Sequence, residues 1–331
     1  MIGEGELLRW RMNSQFGGGG TVSGIAGRAA GIQAQDASAA RLGLRARGLA
    51  EAAAVERAYA HGEVVASWLM RGTLHLVPAA QLPPLIALFG ERNIAAGARR
   101  RRELGLTEGL LARAEGALPE VLTEPLSRAE LVARLNGRGV GVEPTGQAPA
   151  HLTAYLAGRG LLCRGAEVAP REPGYVPLPA PDGEADPEAA AAELAARYVA
   201  AFGPVSVADF AAWSGLPQVL GKRALAGLPE VGEGLYATAG APAAGEPLVR
   251  LLGAYDNFLL GYRDRSLMLD QRFAKRVNAG GGVVRPTLVV DGRVRGIWAR
   301  GKDGRPVVEP FEPLPEEVWE AEARAVEEFL G

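Results

Sequence analysis

The sequence predicts an α+β protein, predominantly helical, built as three tandem winged-helix domains followed by a small C-terminal antiparallel β domain of barrel-like form. Three observations carry this expectation. Capped helical segments recur and run into short alternating stretches. Asp-Gly turns and valine-rich runs crowd the chain after residue 248. The 331 residues exceed what a single hydrophobic core ordinarily spans.

The first domain is expected over residues 1–110. "EGELLRWRMNSQ" (4–15) reads as a helix, and "TVSGIAGRAAG" (21–31) as a second with Thr21 or Ser23 as its cap. The polar stretch "IQAQ" follows. Asp36 or Ser38 then caps "ASAARLGLRARG", which stops at Gly48, and "LAEAAAVERAYAHG" gives a further helix to Gly62. "EVVASWLMRGTLHLVP" (63–78) alternates as two short strands joined at Arg71-Gly72. Helices followed by a small hairpin describe a winged helix.

A second copy is expected over 111–180. In "LSRAELVARLNGRG" (126–139), Ser127 stands three residues before Glu130, the spacing of a capping box. "QAPAHLTAYLAGRGLLCRG" (147–165) continues as a helix to about Gly160 and then opens a strand. The third copy is expected with its linker over 181–247, where the Pro/Asp-rich stretch at 179–193 runs into an Ala-rich helix. It continues as "GPVSVADFAAWSGLPQVLGKRALAGL" (203–228), a helix-turn-helix with Gly215 and Pro217 at the turn, and "GLYATAG" (234–240) is its wing strand. After the linker "GAPAAGEP" (240–247), residues 248–331 form the β domain. Asp291-Gly292 between "TLVV" and "RVRGIW" is a strong hairpin signal, Asp303-Gly304 a second, and an acidic amphipathic helix closes the chain.

Composition excludes several classes. No run reaches the roughly 18 apolar residues of a membrane span, and "MIGEGELLRW" lacks a basic-then-apolar leader, so a cytoplasmic, nucleoid-associated protein is expected. Cys163 is the only cysteine, which rules out internal disulfides and thiolate zinc sites. His61, His75 and His151 are too scattered to form a metal cluster, so neither metal nor cofactor is expected. The glycine runs at 17–20 and 280–282 lack the Gly-Lys-Ser/Thr of a phosphate loop. The net charge of −2 hides a strong asymmetry. Residues 1–110 carry 13 basic and 9 acidic side chains, residues 250–305 carry 12 and 5, and residues 306–331 carry 1 and 8. Lys222, Lys275 and Lys302 are the only lysines, so nearly all the positive charge is arginine, which suits bidentate phosphate contact.

"RAAGIQAQDAS", "RGTLHLVP", "AYDNFLLGYRDRS" and "VDGRVRGIW", in this order and spacing, resemble the AlkZ-like winged-helix DNA glycosylases, the azinomycin-resistance type, over about residues 4–331. The resemblance implies three winged helices and a β-barrel-like domain around a DNA channel. It also implies removal of N7-alkylated guanine and, for some members, unhooking of interstrand crosslinks. The family's catalytic glutamine–apolar–glutamine motif falls on Gln33-Ala34-Gln35. A sister branch ends that motif in aspartate. Gln35 therefore places the chain on the Gln-x-Gln branch, and Asp36 lies one position too late.

Two neutral amides are poor acids and bases, yet they suit this chemistry. N7 alkylation puts a positive charge on guanine, so the base departs as a neutral molecule without a strong general acid. What remains is to hold water at C1′ and to stabilise oxocarbenium character there. Two glutamines on an extended stretch place their side chains on one side, and preorganised dipoles of this kind are worth several kcal/mol. Without the resemblance, the pair is better accounted for as a polar junction that satisfies helix ends, with Asp36 as a cap.

Arg71, Thr73 and His75 would share one strand face, where they contact either DNA or solvent. The family motif favours DNA. Arg272, Lys275 and Arg276, before "NAGGGVV", make a basic loop expected to face DNA. Arg99–Arg102 would point all round a helix, as backbone contacts or a solvated face, and Asp256, Arg263, Asp264 and Arg265 are read as an ion-pair network in preference to direct DNA contacts. Trp10 and Phe16 are expected in the core. With no lysine beside the motif, the expected activity is that of a monofunctional DNA glycosylase, acting as a monomer on double-stranded DNA with alkylated guanine and leaving an abasic site. The alternative is a non-catalytic winged-helix regulator or lesion sensor. Gln→Ala separates the two, because only the enzyme loses base release while it keeps duplex binding.

Overall fold

Helices hold about half of the residues, alongside antiparallel sheets, in the computed structural model, which describes residues 2–178, 185–238, 240–242 and 245–331. The start of the expected linker at 179–193, one residue of the expected wing strand and part of the linker at 240–247 lie outside the described residues. In chain order the elements begin α1 (Glu4–Phe16), α2 (Val22–Arg28), β1 (Ile32–Gln33), α3 (Ala37–Ala46), α4 (Ala53–Ala60), β2 (Val64–Trp68) and β3 (Leu74–Pro78). They continue with α5 (Leu82–Glu103), α6 (Glu108–Val121), α7 (Arg128–Gly137), α8 (Ala148–Gly158), β4 (Leu162–Ala169), β5 (Glu172–Pro177) and α9 (Pro187–Phe202). Next are α10 (Val207–Ser214), α11 (Gln218–Ala224), β6 (Glu230–Gly232), β7 (Leu235–Tyr236), β8 (Val249–Leu252), α12 (Asn257–Leu260), α13 (Ala274–Val277), β9 (Asn278–Gly280) and β10 (Val283–Val284). The chain closes with β11 (Thr287–Val290), β12 (Arg293–Arg300), β13 (Pro306–Pro310) and α14 (Glu320–Leu330). Among the described residues no helix is long and apolar enough to cross a membrane.

Local chemistry explains the boundaries. Thr21 accepts from Gly24 N–H and starts α2. Ser127 and Glu130 form the capping box of α7, and Ser206 with Asp209 forms another at α10. Helix α4 starts at Ala53, later than the expected Leu49. Helix α5 opens on Leu82-Pro83-Pro84, where missing N–H groups cost nothing because a first turn has no internal acceptor. At Asp291-Gly292 both residues are left-handed, with φ of 47° and 79°, and they join β11 to β12 as expected.

The chain divides into two compact units, Met1–Val55 with Ala191–Gly331, and Glu56–Ala190. In the first, β13, β12, β11 and β8 form an antiparallel sheet in that order. Its core joins Leu251, Leu288 and Trp298 from the sheet to Leu42 of α3 and to Trp319 and Val326 at the C-terminus. Trp298 also donates its indole N–H to Leu252 O at 2.8 Å. This packing fixes α3, the helix that directly follows "IQAQ". A second aromatic cluster gathers Tyr198, Phe202, Phe210 and Trp213, with Tyr198 and Trp213 stacked at 4.7 Å between ring centres.

The second unit carries strands in the order β3-β2-β4-β5. Its core collects leucines of α6, α7 and α8 with Tyr175. Helices α5 and α8 cross closely enough that a Cβ on Gly90 would stand 2.2 Å from the Gly158 carbonyl oxygen. Two backbones would have to part. Gly90→Ala is therefore expected to destabilise this unit by about 1–3 kcal/mol, read as a lower denaturation midpoint.

Candidate active site

Two left-handed residues follow helix α2 and its Ala29 cap, Ala30 at φ 55° and Gly31 at φ 95°. These reverse the chain into β1, only two residues long and buried. Asp36 then accepts from Ala39 N–H at 2.8 Å and begins α3, the cap predicted for it. The sequence Ile32–Gln35 thus lies between a strained turn and a capped helix. Gln33 is buried and Gln35 exposed. Their amides meet. Gln33 Nε2 donates to Gln35 Oε1 at 2.7 Å, and the Gln35 backbone N–H reaches Gln33 Oε1 at 3.3 Å. Each amide oxygen retains a second lone pair for a water or a cationic sugar.

The segment is held from far along the chain. Asn257 Oδ1 accepts the Gln33 backbone N–H at 3.1 Å, and Asn257 Nδ2 donates to Gly31 O at 2.6 Å. Asp256, one residue earlier, makes two parallel bonds to Arg47 at the end of α3, of 3.0 and 2.9 Å, with both side chains almost fully buried. Arg47 also donates to Gln15 Oε1 and to Gly43 O. Gln15 in turn donates to the Tyr262 hydroxyl, which donates to Phe202 O at 3.0 Å. Burial pushes the Tyr262 phenol up to about 12, so it stays neutral and keeps that donor.

The expected ion-pair network within "YDNFLLGYRDRS" takes another form. The partner of Asp256 is Arg47. The backbone N–H of Arg263 donates to Asp209 Oδ1 at 2.9 Å, and Asp264 accepts from Ser266 N–H.

In the second unit, Arg71 sits in the turn between β2 and β3 in left-handed geometry, φ 54°, with Gly72 at φ 70°. Asn93 clamps this turn by donating to Trp68 O and Leu69 O. The turn breaks the alternation on which a shared face for Arg71, Thr73 and His75 depended. Arg71 is exposed and Thr73 half-buried, whereas His75 is 2% exposed, and its Nδ1–H donates to Thr73 O at 2.9 Å. Burial first, then the Arg71 charge, pushes the His75 imidazole down to about 4, against the opposing hydrogen bond to Thr73. A base whose folded value lies below its unfolded value contributes stability above the unfolded value and loses it as pH falls. Between pH 7 and 5, His75 is expected to cost this unit roughly 2 kcal/mol. His75→Gln should flatten that loss in urea titrations at the two pH values.

Arg272, Lys275 and Arg276 lie in and just before α13, in the first unit. Arg272 and Arg276 lie over the rings of Phe273 and Phe311, which stack at 4.6 Å. Arg272 pairs with Asp270 and Glu312, and Arg276 with Glu309, while Lys275 is exposed. A cleft of about 470 Å³ opens beside Arg272, Phe273 and Phe311. The four arginines of α5 diverge as expected. Arg99 and Arg100 bond Glu103 outside, and Arg101 turns in over Tyr155.

A family model described as "DNA glycosylase AlkZ-like" matches residues 26–331, a span that takes in Gln33, Gln35 and Asp256-Asn257. The chain belongs to the AlkZ-like DNA glycosylase family. It is 31% identical to an "Interstrand DNA cross-link repair glycosylase" of Streptomyces sahachiroi, with 98% of this chain and 96% of that protein covered. Its fold matches the solved Streptomyces sahachiroi DNA glycosylase AlkZ with a TM-score of 0.82 at 28% identity, over 98% and 96% of the two chains. As an AlkZ-like protein the chain is a DNA glycosylase, a hydrolase. Sequence reasoning missed Arg47, Gln15 and above all Asn257, because nothing local links position 257 to position 33. The one available signal was that a buried-looking "DN" precedes an apolar run, the pattern of a helix cap, and Asp256 does cap α12.

Proposed function

We propose that this AlkZ-like glycosylase hydrolyses the N-glycosidic bond of N7-alkylated purines and leaves an abasic site, with Gln33 and Gln35 as its catalytic residues. The observation that carries this reading is the 2.7 Å amide pair, one member buried and the other exposed. Gln33 fixes the orientation of the Gln35 oxygen. The second lone pair of that oxygen then accepts from a water placed at C1′, and the two amide dipoles face the cationic sugar. The C1′–N9 bond breaks, its electron pair neutralises the charged base, the water oxygen bonds C1′, and its proton passes to solvent.

The printed name of the Streptomyces sahachiroi relative supports extending the reaction to interstrand crosslinks. A crosslinked guanine is tied to the opposite strand and resists extrusion, so an exposed Gln35 fits chemistry done near the duplex. The test is release of N7-methylguanine from duplex DNA by wild type, Gln33→Ala and Gln35→Ala. Release unchanged in both variants would remove the glutamines from the mechanism.

None of the three lysines lies beside the motif, so the enzyme is read as monofunctional. Strand nicking that persists in the purified Gln33→Ala/Gln35→Ala double variant would point to another nucleophile. Arg71 and Thr73 on the clamped turn, and Arg272, Lys275 and Arg276 on the β domain, are proposed as backbone contacts. On DNA, Arg272 and Arg276 would exchange their carboxylate partners for phosphate. His75 supports the hairpin from inside. If the latter three each neutralise a phosphate, replacing them together by alanine lowers the slope of log affinity against log salt by roughly 2.7.

The order of helices and hairpins supports three winged helices, at 1–110, 111–180 and 181–247, and a barrel-like β domain at 248–331. The enzyme is proposed to act as a monomer on nucleoid DNA.

A further inference from the structure

We propose that Asn257 is a positioning residue for base release. It holds the backbone of Gly31 and Gln33 so that the Gln33 side chain meets Gln35. This rests on the catalytic reading of the two glutamines.

A two-residue strand has no internal rigidity, and its direction is set by whatever pairs with it. Asn257 bonds the segment as a strand partner would, taking one N–H and giving one N–H on either side of Ile32. The amide can be oriented only one way, because Gly31 O can only accept and Gln33 N–H can only donate. Asn257 is 4% exposed, so both bonds are shielded from water.

Its own backbone is fixed on three sides. Asp256 is locked to Arg47 through two bonds and accepts Phe258 N–H at 2.8 Å. Tyr255 before it is held left-handed at φ 57°, a conformation that persists only where the surroundings impose it. Phe258 after it is fully buried and packs on Phe16 at 5.6 Å. The consecutive Asp256 and Asn257 thus secure both flanks of the motif, one the end of α3 and the other the strand. Helix capping of α12 accounts for Asp256 but not for Asn257, whose side chain turns away to Gly31 and Gln33.

The experiment measures single-turnover base release and duplex affinity on N7-methylguanine DNA for Asn257→Ala, Gln33→Ala and the double variant. Positioning predicts that Asn257→Ala lowers the rate on the order of 10- to 100-fold with duplex affinity little changed. It also predicts that the same substitution made on top of Gln33→Ala costs almost nothing further, since the group it acts through is gone. A rate near wild type in Asn257→Ala, or an equal further loss in the Gln33→Ala background, overturns the proposal. If Asn257→Ala does not fold, Asn257→Asp carries the same cycle. It keeps the shape and the acceptor for Gln33 N–H but sets a carboxylate oxygen against Gly31 O. A wild-type rate in Gln33→Ala itself would instead sink the catalytic reading, so the two failures are distinguishable.

Discussion

Gln33→Ala is expected to lower the rate of base release by about 10²- to 10³-fold, the range for loss of one preorganised dipole at a reacting centre. Affinity for undamaged duplex should hold within a small factor. The Gln33 side chain is neutral and buried, so it neutralises no phosphate and releases no counterion. The loss falls on kcat because the Gln33 amide orients the Gln35 oxygen at 2.7 Å, an arrangement needed when charge develops on the sugar. Gln35→Ala removes the oxygen itself and should cost at least as much. The pair should be non-additive, since each amide works through the other. Single-turnover kinetics on N7-methylguanine duplex measure all three. A Gln33→Ala loss that appears only as weaker binding would mean that the amides hold DNA and do not promote the reaction.

The parts of the fold that were legible in the sequence depend on local chemistry. Asp291-Gly292 reads as a hairpin because few residues accept two consecutive left-handed conformations. Ser127 with Glu130 reads as a helix start because the two side chains and two backbone donors lie within one turn. Gln33, Ala34 and Gln35 were legible as a motif only through the family resemblance, since the residues alone read as a polar junction between helices.

What failed had a distant or geometric cause. The Arg71 turn is left-handed, which moves His75 from the expected polar face into the interior. Counting alternate residues cannot see that break. Helix α5 was expected only around Arg99–Arg102, because Pro83 and Pro84 in its first turn interrupt the local pattern that would mark its start. Gly90 and Gly158 carry no local sign that two helices touch there. Asn257 and Gln33 are 224 positions apart, and only the tertiary fold makes them neighbours.

Asp256→Ala is expected to be the most damaging single substitution for folding, at about 3–5 kcal/mol. The Arg47 guanidinium is 4% exposed and the Asp256 carboxylate 1%, so neither has solvent as an alternative partner. Truncating Asp256 leaves a buried cation with only Gln15 Oε1 and Gly43 O, two neutral acceptors. It also orphans the Phe258 N–H at the start of α12. Asp256→Asn should cost less, because the isosteric amide still accepts from Phe258 N–H and from one guanidinium nitrogen. Chemical denaturation should place the loss in the transition of the unit that contains residues 1–55 and 191–331. A double replacement of Arg47 and Asp256 by Met and Leu removes both charges, so it should recover part of the loss but not the missing cap. The ordering Asp256→Ala, then the double variant, then Asp256→Asn, from least to most stable, would separate the cost of a stranded charge from the cost of an uncapped helix. An Asp256→Ala protein as stable as wild type would mean that the buried pair contributes nothing. The motif would then depend on Asn257 alone.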